Sequence, residues 1–345
     1  MKVVPAGWPV QCRSRGRMRI AAGGATAAVM LLAGCHVPGA SSAAGRGPQG
    51  SSITVAAVPE VGDAPLYAAF REGLFRQAGL TVRIHSYASV AAEMTAIHSG
   101  KADVAVGNYA DFFFAQEHYA RAPMVVVADG YDAGPDVIDV LVRPHSGITN
   151  PQDLAGKTIG TAAPQLMPDI VNGQPYSLDT VSAASVLMND GVQPTAVTWK
   201  PMPVHDLIGA LRSHLVDAIL VTEPQIYQAE SQLGARSVLD ACSGATVSLP
   251  LDGYFASASF ASKHRAALAA FRSALMRAQA SAARRAPVEA ALTRDEGMSR
   301  RTASLITVGL YPTSLKVTSL QRVANLMSFY GALPQPLDVA HMILP

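Results

Sequence analysis

The sequence predicts an α/β protein built from alternating strands and helices. Short apolar runs rich in β-branched residues recur along the chain, and most are followed by apolar residues at helical spacing. The chain has 345 residues, which is enough for two lobes. Hydrophobic residues make up 49% of it and charged residues 15%, so a large core is expected. Regular alternation of this kind favours mainly parallel, doubly wound sheets flanked by helices.

The stretch 53–80 shows the first repeating unit. Ile53–Val58 is an apolar run that Pro59 ends, which predicts a buried strand. Asp63 stands where a helix N-cap is expected, and Pro65 falls in the first turn, so a helix should begin there. The loop between this strand and helix is expected to bind a ligand, because open α/β sheets bind ligands beyond the carboxyl ends of their strands.

The same signals place the later elements in order. Further strands are predicted where short apolar runs end at Gly, Pro or polar residues, at 81–85, 103–106, 124–128, 137–142, 157–160, 196–199, 216–221 and 253–257. Helices are predicted where apolar residues recur every three or four positions, at 90–100, in a stretch ending at 116, and at 181–188, 204–211, 224–233, 259–285, 296–308 and 318–330. The last helix carries a capping-box pattern, Thr318 with Gln321, and should stop at Gly331.

The first 35 residues predict export. Five basic residues and no acidic one precede residue 35, and the apolar run Ile20–Ala33 follows the basic ones. A start at Met18 would keep Arg19 and the whole apolar run, so the signal would still be complete. This order is typical of a secretory signal, and the run is too short for an ordinary membrane span. Of 27 Lys and Arg residues, 22 then remain against 25 acidic ones, a net charge near −3 that argues against a nucleic-acid partner.

The tetrad Leu-Ala-Gly-Cys at 32–35 resembles the bacterial lipobox. The resemblance implies that residues 1–34 are a signal peptide and that a lipid is attached to Cys35; an uncleaved hydrophobic anchor is the alternative. Residues 35–51, rich in Gly, Ser, Ala and Pro, would form a flexible tether. Cys12 leaves with the signal, so Cys242 remains as a lone thiol, expected to be buried, and no intramolecular disulfide is expected.

Several motifs, in this order, resemble one family. They are Ala-Pro-Leu-Tyr at 64–67 with Gly-Leu-Phe at 73–75 and Gly-Leu at 79–80, Gly-Lys-Ala-Asp-Val at 100–104, Asp-Leu-Ala-Gly-Lys-Thr-Ile-Gly at 153–160, Leu-Val-Asp-Ala at 215–218 before Glu-Pro at 223–224, and the tail 331–342. Together they resemble the ABC-importer solute-binding proteins for sulfonates, taurine, nitrate and thiamine-pyrimidine precursors, over roughly residues 53–344.

The resemblance implies a two-lobe, type 2 periplasmic-binding-protein-like α/β fold. Each lobe would be a mainly parallel sheet flanked by helices, and a two-stranded hinge would join them. Lobe 1 would comprise 52–141 plus 250–345 and lobe 2 would comprise 142–249, with crossings near 140–144 and 249–253. Closure of the hinge around a ligand is the expected motion.

Ligand-binding residues are expected in the loops that follow the strands of both lobes. They are Glu60, Gly62, Asp63, Tyr67, Tyr87, Gly107, Asn108, Tyr109, Asp132, Thr161, Ala162, Met202, Thr222, Glu223 and Tyr254. Helix N-termini at these loops would suit an anion such as a sulfonate. The loops carry many acidic and aromatic side chains, however, and Lys200 is their only Lys or Arg. This composition favours a flat neutral or cationic ring, such as a pyrimidine precursor. Asp63 is as readily explained as a plain N-cap, and Trp199 and Tyr254 as core residues.

The sequence carries no catalytic or metal-binding motif, so no catalytic residue, metal or cofactor is expected. Gly-Lys-Thr at 156–158 lacks the leading glycine of a phosphate loop, and the histidines show no metal-ligand spacing. The predicted protein is a lipid-anchored bacterial monomer outside the cytoplasm that binds a small solute for an ABC permease and its ATPase. One alternative is a pyrimidine-precursor synthase of the same family that depends on pyridoxal phosphate, whose Cys-rich motif is absent here. A ligand-binding sensor lipoprotein is another.

Overall fold

The computed structural model describes residues 50–118, 123–163, 170–171 and 174–344. The predicted signal peptide, Cys35 and most of the predicted tether lie outside these residues. The described residues all belong to one compact unit. Within that part of the chain, no helix is both long and apolar enough to cross a bilayer.

Strands and helices alternate through most of the described residues. The strands are β1 Ser51–Ala57, β2 Leu80–Ser86, β3 Val104–Asn108, β4 Met124–Asp132, β5 Ile138–Val142, β6 Thr158–Ala162, β7 Ile170–Val171, β8 Gln174–Pro175, β9 Thr198–Met202, β10 Ala218–Thr222, β11 Arg236–Asp240 and β12 Pro250–Ser257. The helices are α1 Ala64–Arg71, α2 Leu74–Gln77, α3 Val90–His98, α4 Tyr109–His118, α5 Leu178–Asn189, α6 Leu207–Arg212, α7 Gln225–Leu233, α8 Ala258–Lys263, α9 Arg265–Ala282, α10 Arg285–Arg294, α11 Arg300–Leu305 and α12 Val317–Phe329.

Two five-stranded sheets confirm the predicted two-lobe α/β fold. Their strand orders are β2-β1-β3-β12-β4 and β11-β5-β10-β6-β9. In each sheet four strands run one way and one runs the other way, namely β12 in the first sheet and β5 in the second. Each reversed strand is the first that the chain forms after it crosses between the sheets. Such a strand runs away from the crossing, so the parallel strands of both sheets end on the side where the crossings lie.

The two crossings lie side by side at 133–137 and 241–249. The Ala133 N–H donates to the Leu249 carbonyl, and the Ala241 N–H donates to the Ile138 carbonyl, each at 2.8 Å. Strand β5 pairs with β10 and β11. Residues 138–141 therefore lie in the second sheet and not in lobe 1, to which the sequence analysis assigned them. An apolar run predicts a buried strand, but it does not show which sheet the strand joins.

The first sheet has a core on each face, because successive side chains of a strand point to opposite sides. In β1, Ile53 and Val55 pack into one hydrophobic cluster and Ala56 into another. On one face, Phe75 stacks on Phe271 with ring centroids 5.0 Å apart, which joins α2 to α9. Helix α4 packs on the other face. The sheet is thus held between two helical layers.

The C-terminal helices differ from the prediction in their ends. The predicted helix 259–285 is two helices, α8 and α9, that meet at His264. The predicted capping box does not form, because α12 begins at Val317 without a side-chain cap, and the Gln321 amide donates to the Leu337 carbonyl at 2.8 Å. Strand β11 was not predicted, since its short polar and apolar mixture lacks a clear period.

Candidate functional site

A cavity of about 710 Å³ lies between the two sheets. The first sheet contributes residues 58–63 after β1, and 106–108 and 110–111 around the end of β3. The second contributes 162–163 at the end of β6, 203–205 after β9 and 222–225 after β10, together with 177–179 at the start of α5. Both sheets therefore meet the cavity with the carboxyl ends of their parallel strands, and its size suits a small molecule.

The structure gathers part of the predicted site around this cavity. The predicted residues that line it are Glu60, Gly62, Asp63, Gly107, Asn108, Ala162, Thr222 and Glu223. Those that do not line it are Tyr67, Tyr87, Tyr109, Asp132, Thr161, Met202 and Tyr254. The first group comes from the loops themselves, and most of the second belongs to strand or helix positions that face a core.

Most of the predicted aromatic residues pack inside the lobes. Tyr109 and Tyr254 are fully buried, and the Tyr109 hydroxyl donates to Asp129 Oδ1 at 2.9 Å. Trp199 is also buried, and its indole N–H donates to the Pro194 carbonyl at 3.2 Å. The described lining thus does not form the aromatic enclosure that a flat ring would need.

The remaining predicted residues are placed as follows. Tyr67 is buried in α1, and Tyr87 is half-buried against the core of the first lobe. Asp132 pairs with Leu310 through both backbone groups, at 2.8 and 2.9 Å. Thr161 is buried in β6, and Met202 packs on the small core between α6 and the second sheet.

Carboxylates dominate the lining. We call this set the cleft acids: Glu60, Asp63, Glu93, Asp111, Asp179, Glu223, Asp252 and Glu296. Among the described lining residues there is no Lys or Arg, and His205 is the one basic side chain, largely exposed to solvent. The chemistry of the cleft is therefore strongly acidic.

Two cleft acids are buried with unused acceptor atoms. Glu93 is 0% exposed; its Oε1 accepts the Val106 N–H at 2.9 Å, and its Oε2 has no partner. Burial raises the pKa of Glu93 to about 9, although the Val106 N–H opposes the shift, and the charges of neighbouring cleft acids add to it. Asp63 is 3% exposed, makes no cap hydrogen bond to α1, and leaves its Oδ2 without a partner. Burial, followed by the charge of Glu60, raises the pKa of Asp63 well above its usual value.

The cleft acids also affect one another across the cavity. Asp179 begins α5, which packs on the second sheet. Burial and then the charge of Asp179 raise the pKa of Glu60 to about 7, and the same two causes raise the pKa of Asp111 to about 7. Glu60 lines the cavity deep among protein atoms, although a solvent molecule can still reach it there. Burial, followed by the charge of Glu60, raises the pKa of Glu296 to about 8. Carboxylates of opposite lobes therefore repel each other.

Four of the helix starts around the cavity are capped by the protein's own side chains, whereas α1 and α6 begin without a side-chain cap. At each of the four capped starts one N–H group donates to a side-chain oxygen: Ser89 Oγ for α3, Asn108 Oδ1 for α4, Ser177 Oγ for α5 and Glu223 Oε2 for α7. Acidic side chains also stand in the first turns of α3, α4 and α5. A cap and a nearby carboxylate make the starts of α3, α4 and α5 less favourable for the anion that the sequence analysis expected at helix N-termini.

Five cleft acids were missed by the sequence analysis. Three of them, Glu93, Asp111 and Asp179, carry a recognisable signal, because each stands in the first turn of a helix whose start borders the cleft. Asp252 interrupts the apolar run of β12, which is a weaker signal. Glu296 lies between α10 and α11, and nothing in its local sequence points to the cleft.

Two α/β lobes with a cavity at the carboxyl ends of their strands define a periplasmic-binding-protein-like architecture. The chain belongs to the NMT1/THI5-like family, whose profile matches residues 62–290. This match confirms the family resemblance that the sequence motifs indicated. Comparison with curated protein sequences found no match.

Solved structures share this architecture at low sequence identity. The periplasmic aliphatic sulphonate binding protein SsuA from Escherichia coli aligns with a TM-score of 0.67 at 18% identity, covering 85% of this chain and 97% of that one. The periplasmic nitrate-binding protein NrtA from Synechocystis PCC 6803 aligns at 0.63 and 13% identity, covering 84% of each chain. The desulfurization enzyme DszB aligns at 0.62 and 15%, covering 86% of this chain and 96% of that one. The fold thus carries both binding proteins and an enzyme.

Proposed function

We propose that this chain is an extracytoplasmic solute-binding lipoprotein that delivers a small solute to an ABC importer permease. The observation that carries the proposal is the cavity of about 710 Å³ between two lobes joined by adjacent crossings. Lobes connected in this way can close around a ligand as nearly rigid bodies. The binding proteins for sulphonate and nitrate that share the fold support this role.

The proposal includes the processing that the sequence predicts. Residues 1–34 would be removed, Cys35 would carry the lipid, and 35–51 would tether the body to the membrane. Lobe 1 would consist of two segments, one from residue 52 to the end of β4 and one from residue 250 onward. Lobe 2 would consist of the segment between them, from the start of β5 to about residue 249. The protein would act as a monomer with the permease and its ATPase as partners.

The cleft favours a cationic solute over an anion. An anion would meet the cleft acids without a Lys or Arg among the described lining residues, and one N–H at the start of α3 and one at the start of α5 already donate to serine side chains. A cation would instead meet carboxylates whose pKa values are raised by burial and by the negative charges of their neighbours, and a positive group would favour their ionised form.

The cleft does not suit the enzyme alternative. Pyridoxal phosphate is held in proteins by a lysine amine, and its phosphate needs donors or cations nearby. The described lining residues include no lysine, and eight carboxylates would face the phosphate. The residues present thus do not fit this group, and binding is the better-supported function.

Native mass spectrometry of the protein purified from its host tests the proposed function. We expect a monomer with one small non-covalent adduct, lost on denaturation, and a mass that includes a lipid on Cys35. A protein that carries no adduct from the host, and gains none from host extract, would contradict solute binding. A mass with residues 1–34 still present would contradict the anchoring alone.

A further inference from the structure

We infer that the cleft binds an aliphatic solute carrying two or more separated positive groups, of the ammonium or guanidinium type. The inference rests on the proposed solute-binding function and deepens it by naming the class of solute. It follows from the acidity of the lining, the positions of the acidic side chains, and the presence of only one aromatic residue, Tyr131, in the described part of the lining.

The first argument is the demand for hydrogen-bond donors. Three buried acceptor atoms of the cleft acids have no partner: Asp63 Oδ2, Glu93 Oε2 and Glu296 Oε1. Buried polar atoms are nearly always paired, so these oxygens point to donors on a ligand. An ammonium group offers three donors and no acceptor, and a guanidinium offers five, so either group suits a site that is rich in acceptors.

The second argument is the spread of the acids. A bound metal ion needs several ligand atoms close to one point, and in the described part of the chain only Asp136, Asp139 and Asp240 come that close together. That trio lies at the crossings and does not line the cavity. The cleft acids are instead distributed around the cavity, on both lobes. Charges placed in this way match a solute whose own positive groups are separated, and not a single metal ion.

The third argument is the character of the remaining lining. Aliphatic side chains, among them Val58, Val90, Leu178 and Leu251, lie between the carboxylates. Tyr131 is the one aromatic residue among the described lining residues; its hydroxyl accepts the Gly309 N–H at 2.6 Å, and its ring lies against Tyr311 at 5.2 Å. Methylene stems pack well on aliphatic surface while their charged ends reach polar groups. An alkyl polyamine therefore fits this lining better than a flat ring.

Thermal unfolding of the protein purified from its host tests the inference. Putrescine and spermidine should raise the melting temperature by several degrees at millimolar concentration, since a ligand that binds only the folded state stabilises it by mass action. Butylamine, with one charge, should raise it much less. Magnesium chloride at equal ionic strength, ethanesulfonate and nitrate should leave it nearly unchanged.

Variants in which a cleft acid is replaced by its neutral amide test whether spermidine binds in the cleft. Glu93→Gln in lobe 1 and Asp179→Asn in lobe 2 should each weaken spermidine binding about tenfold or more, measured by calorimetric titration, because each removes one charge-assisted hydrogen bond. Glu72→Gln removes an exposed acid of lobe 1 outside the cleft, and it should bind spermidine like the parent protein. The melting temperature of each unliganded variant shows whether it is folded.

The possible outcomes distinguish the inference about polyamines from the more general proposal that the protein binds a solute. Polyamine stabilisation that exceeds that of magnesium, and that both cleft variants lose, supports the inference. Stabilisation by a sulfonate, nitrate or a pyrimidine without any by polyamines overturns it while leaving solute binding intact. Equal effects of polyamines on the Glu93→Gln, Asp179→Asn and Glu72→Gln variants also overturn it, because binding would then lie outside the cleft.

Discussion

At the residue scale, an aromatic side chain next to a ligand-binding loop can either bind the ligand or pack in the core. Tyr109 follows a strand and precedes a helix, which is where ligand residues are expected in this architecture. The structure instead lays its ring over Gly253 of β12, and the hydroxyl donates to Asp129 Oδ1. The ring needs the space that a side chain at position 253 would fill, so Gly253 and Tyr109 form one packing unit.

Gly253→Ala should destabilise the protein by about 1–3 kcal/mol. An added Cβ would lie 2.5 Å from Tyr109 Cζ and Oη, so the buried ring and its hydrogen bond to Asp129 would have to move. Urea unfolding at neutral pH measures the change. The matched control is Gly209→Ala, where an added Cβ meets nothing within 4 Å in α6 and should stabilise by roughly 0.5–1 kcal/mol. Equal effects of the two substitutions would contradict this account of Tyr109.

Sequence patterns predicted the loops of the site better than its side chains. Glu60, Asp63 and Glu223 follow strand ends, and the loop rule is enough to place them at the cavity. Tyr254 was expected there as well, but it is fully buried, because a strand position faces the core or the cleft according to a register that the sequence does not show.

At the element scale, the residues at the helix starts influence whether the cleft carries positive or negative charge. A helix N-terminus attracts anions unless its N–H groups are already engaged. Here one N–H at the start of α3 donates to Ser89 and one at the start of α5 donates to Ser177, and Glu93 and Asp179 follow in the first turns. The same architecture can thus present a positive or a negative cleft, depending on a few residues at helix starts.

Glu223→Gln should lower the free energy of unfolding by about 1–3 kcal/mol, because one N–H would lose its acceptor. Glu223 Oε1 accepts the Thr307 N–H at 2.8 Å, and Oε2 accepts the Tyr227 N–H at 3.1 Å. A glutamine has one acceptor oxygen, and its amide nitrogen would face the second N–H. Urea unfolding provides the measurement, and Glu230→Gln, an exposed acid on the same helix α7, is the control. If both variants have the same free energy of unfolding, the hydrogen bonds of Glu223 to α7 and to Thr307 do not contribute to stability.

The reversed strands mark the limit of sequence reasoning about elements. The runs that became β5 and β12 were both predicted as strands, but nothing in an apolar run gives its direction or its sheet. That information comes from the path of the chain between lobes. The C-terminal helices were predicted from their spacing, whereas the break at His264 was not, because helix-favouring residues flank it on both sides.

At the scale of the whole molecule, the cleft acids connect lobe closure to charge. Asp179 of lobe 2 contributes to the raised pKa values of Glu60, Asp111 and Asp252 of lobe 1. When these groups are ionised, their repulsion opposes closure, and a cation between them removes that opposition. The unliganded lobes should therefore be further apart at pH 8.5 than at pH 5.5.

Distances between spin labels on the two lobes can test this closure. Cysteines at Thr81 in β2 and Thr195 before β9 are exposed and lie on different lobes, and the native Cys242 is buried. We expect the distance distribution at pH 8.5 to shift when the pH is lowered or spermidine is added. A label pair within one lobe, at Thr81 and Ser262, should not change. If neither pH nor spermidine changes the distance between the lobes, ionisation of the cleft acids does not control lobe closure.

The stability of the unliganded protein should fall as the pH rises from about 5 to 9. The pKa values of Glu60 and Asp111 are raised to about 7, that of Glu296 to about 8 and that of Glu93 to about 9 in the folded protein. In the unfolded chain these groups ionise near pH 4, so the folded state holds more protons throughout this window. Stability decreases with pH wherever the folded state binds more protons than the unfolded one.

A bound polyamine should reverse much of this loss, because its positive groups favour the ionised carboxylates. Binding at pH 7 must then release protons, which calorimetry in buffers of different ionisation enthalpy detects as a buffer-dependent heat. The Glu93→Gln variant should release fewer protons than the parent protein, and Glu72→Gln should release the same number. A melting temperature that rises from pH 5 to 9 without ligand, or polyamine binding without proton release, would show that the cleft acids are already ionised and compensated. The cleft would then owe its selectivity to something other than its uncompensated negative charge.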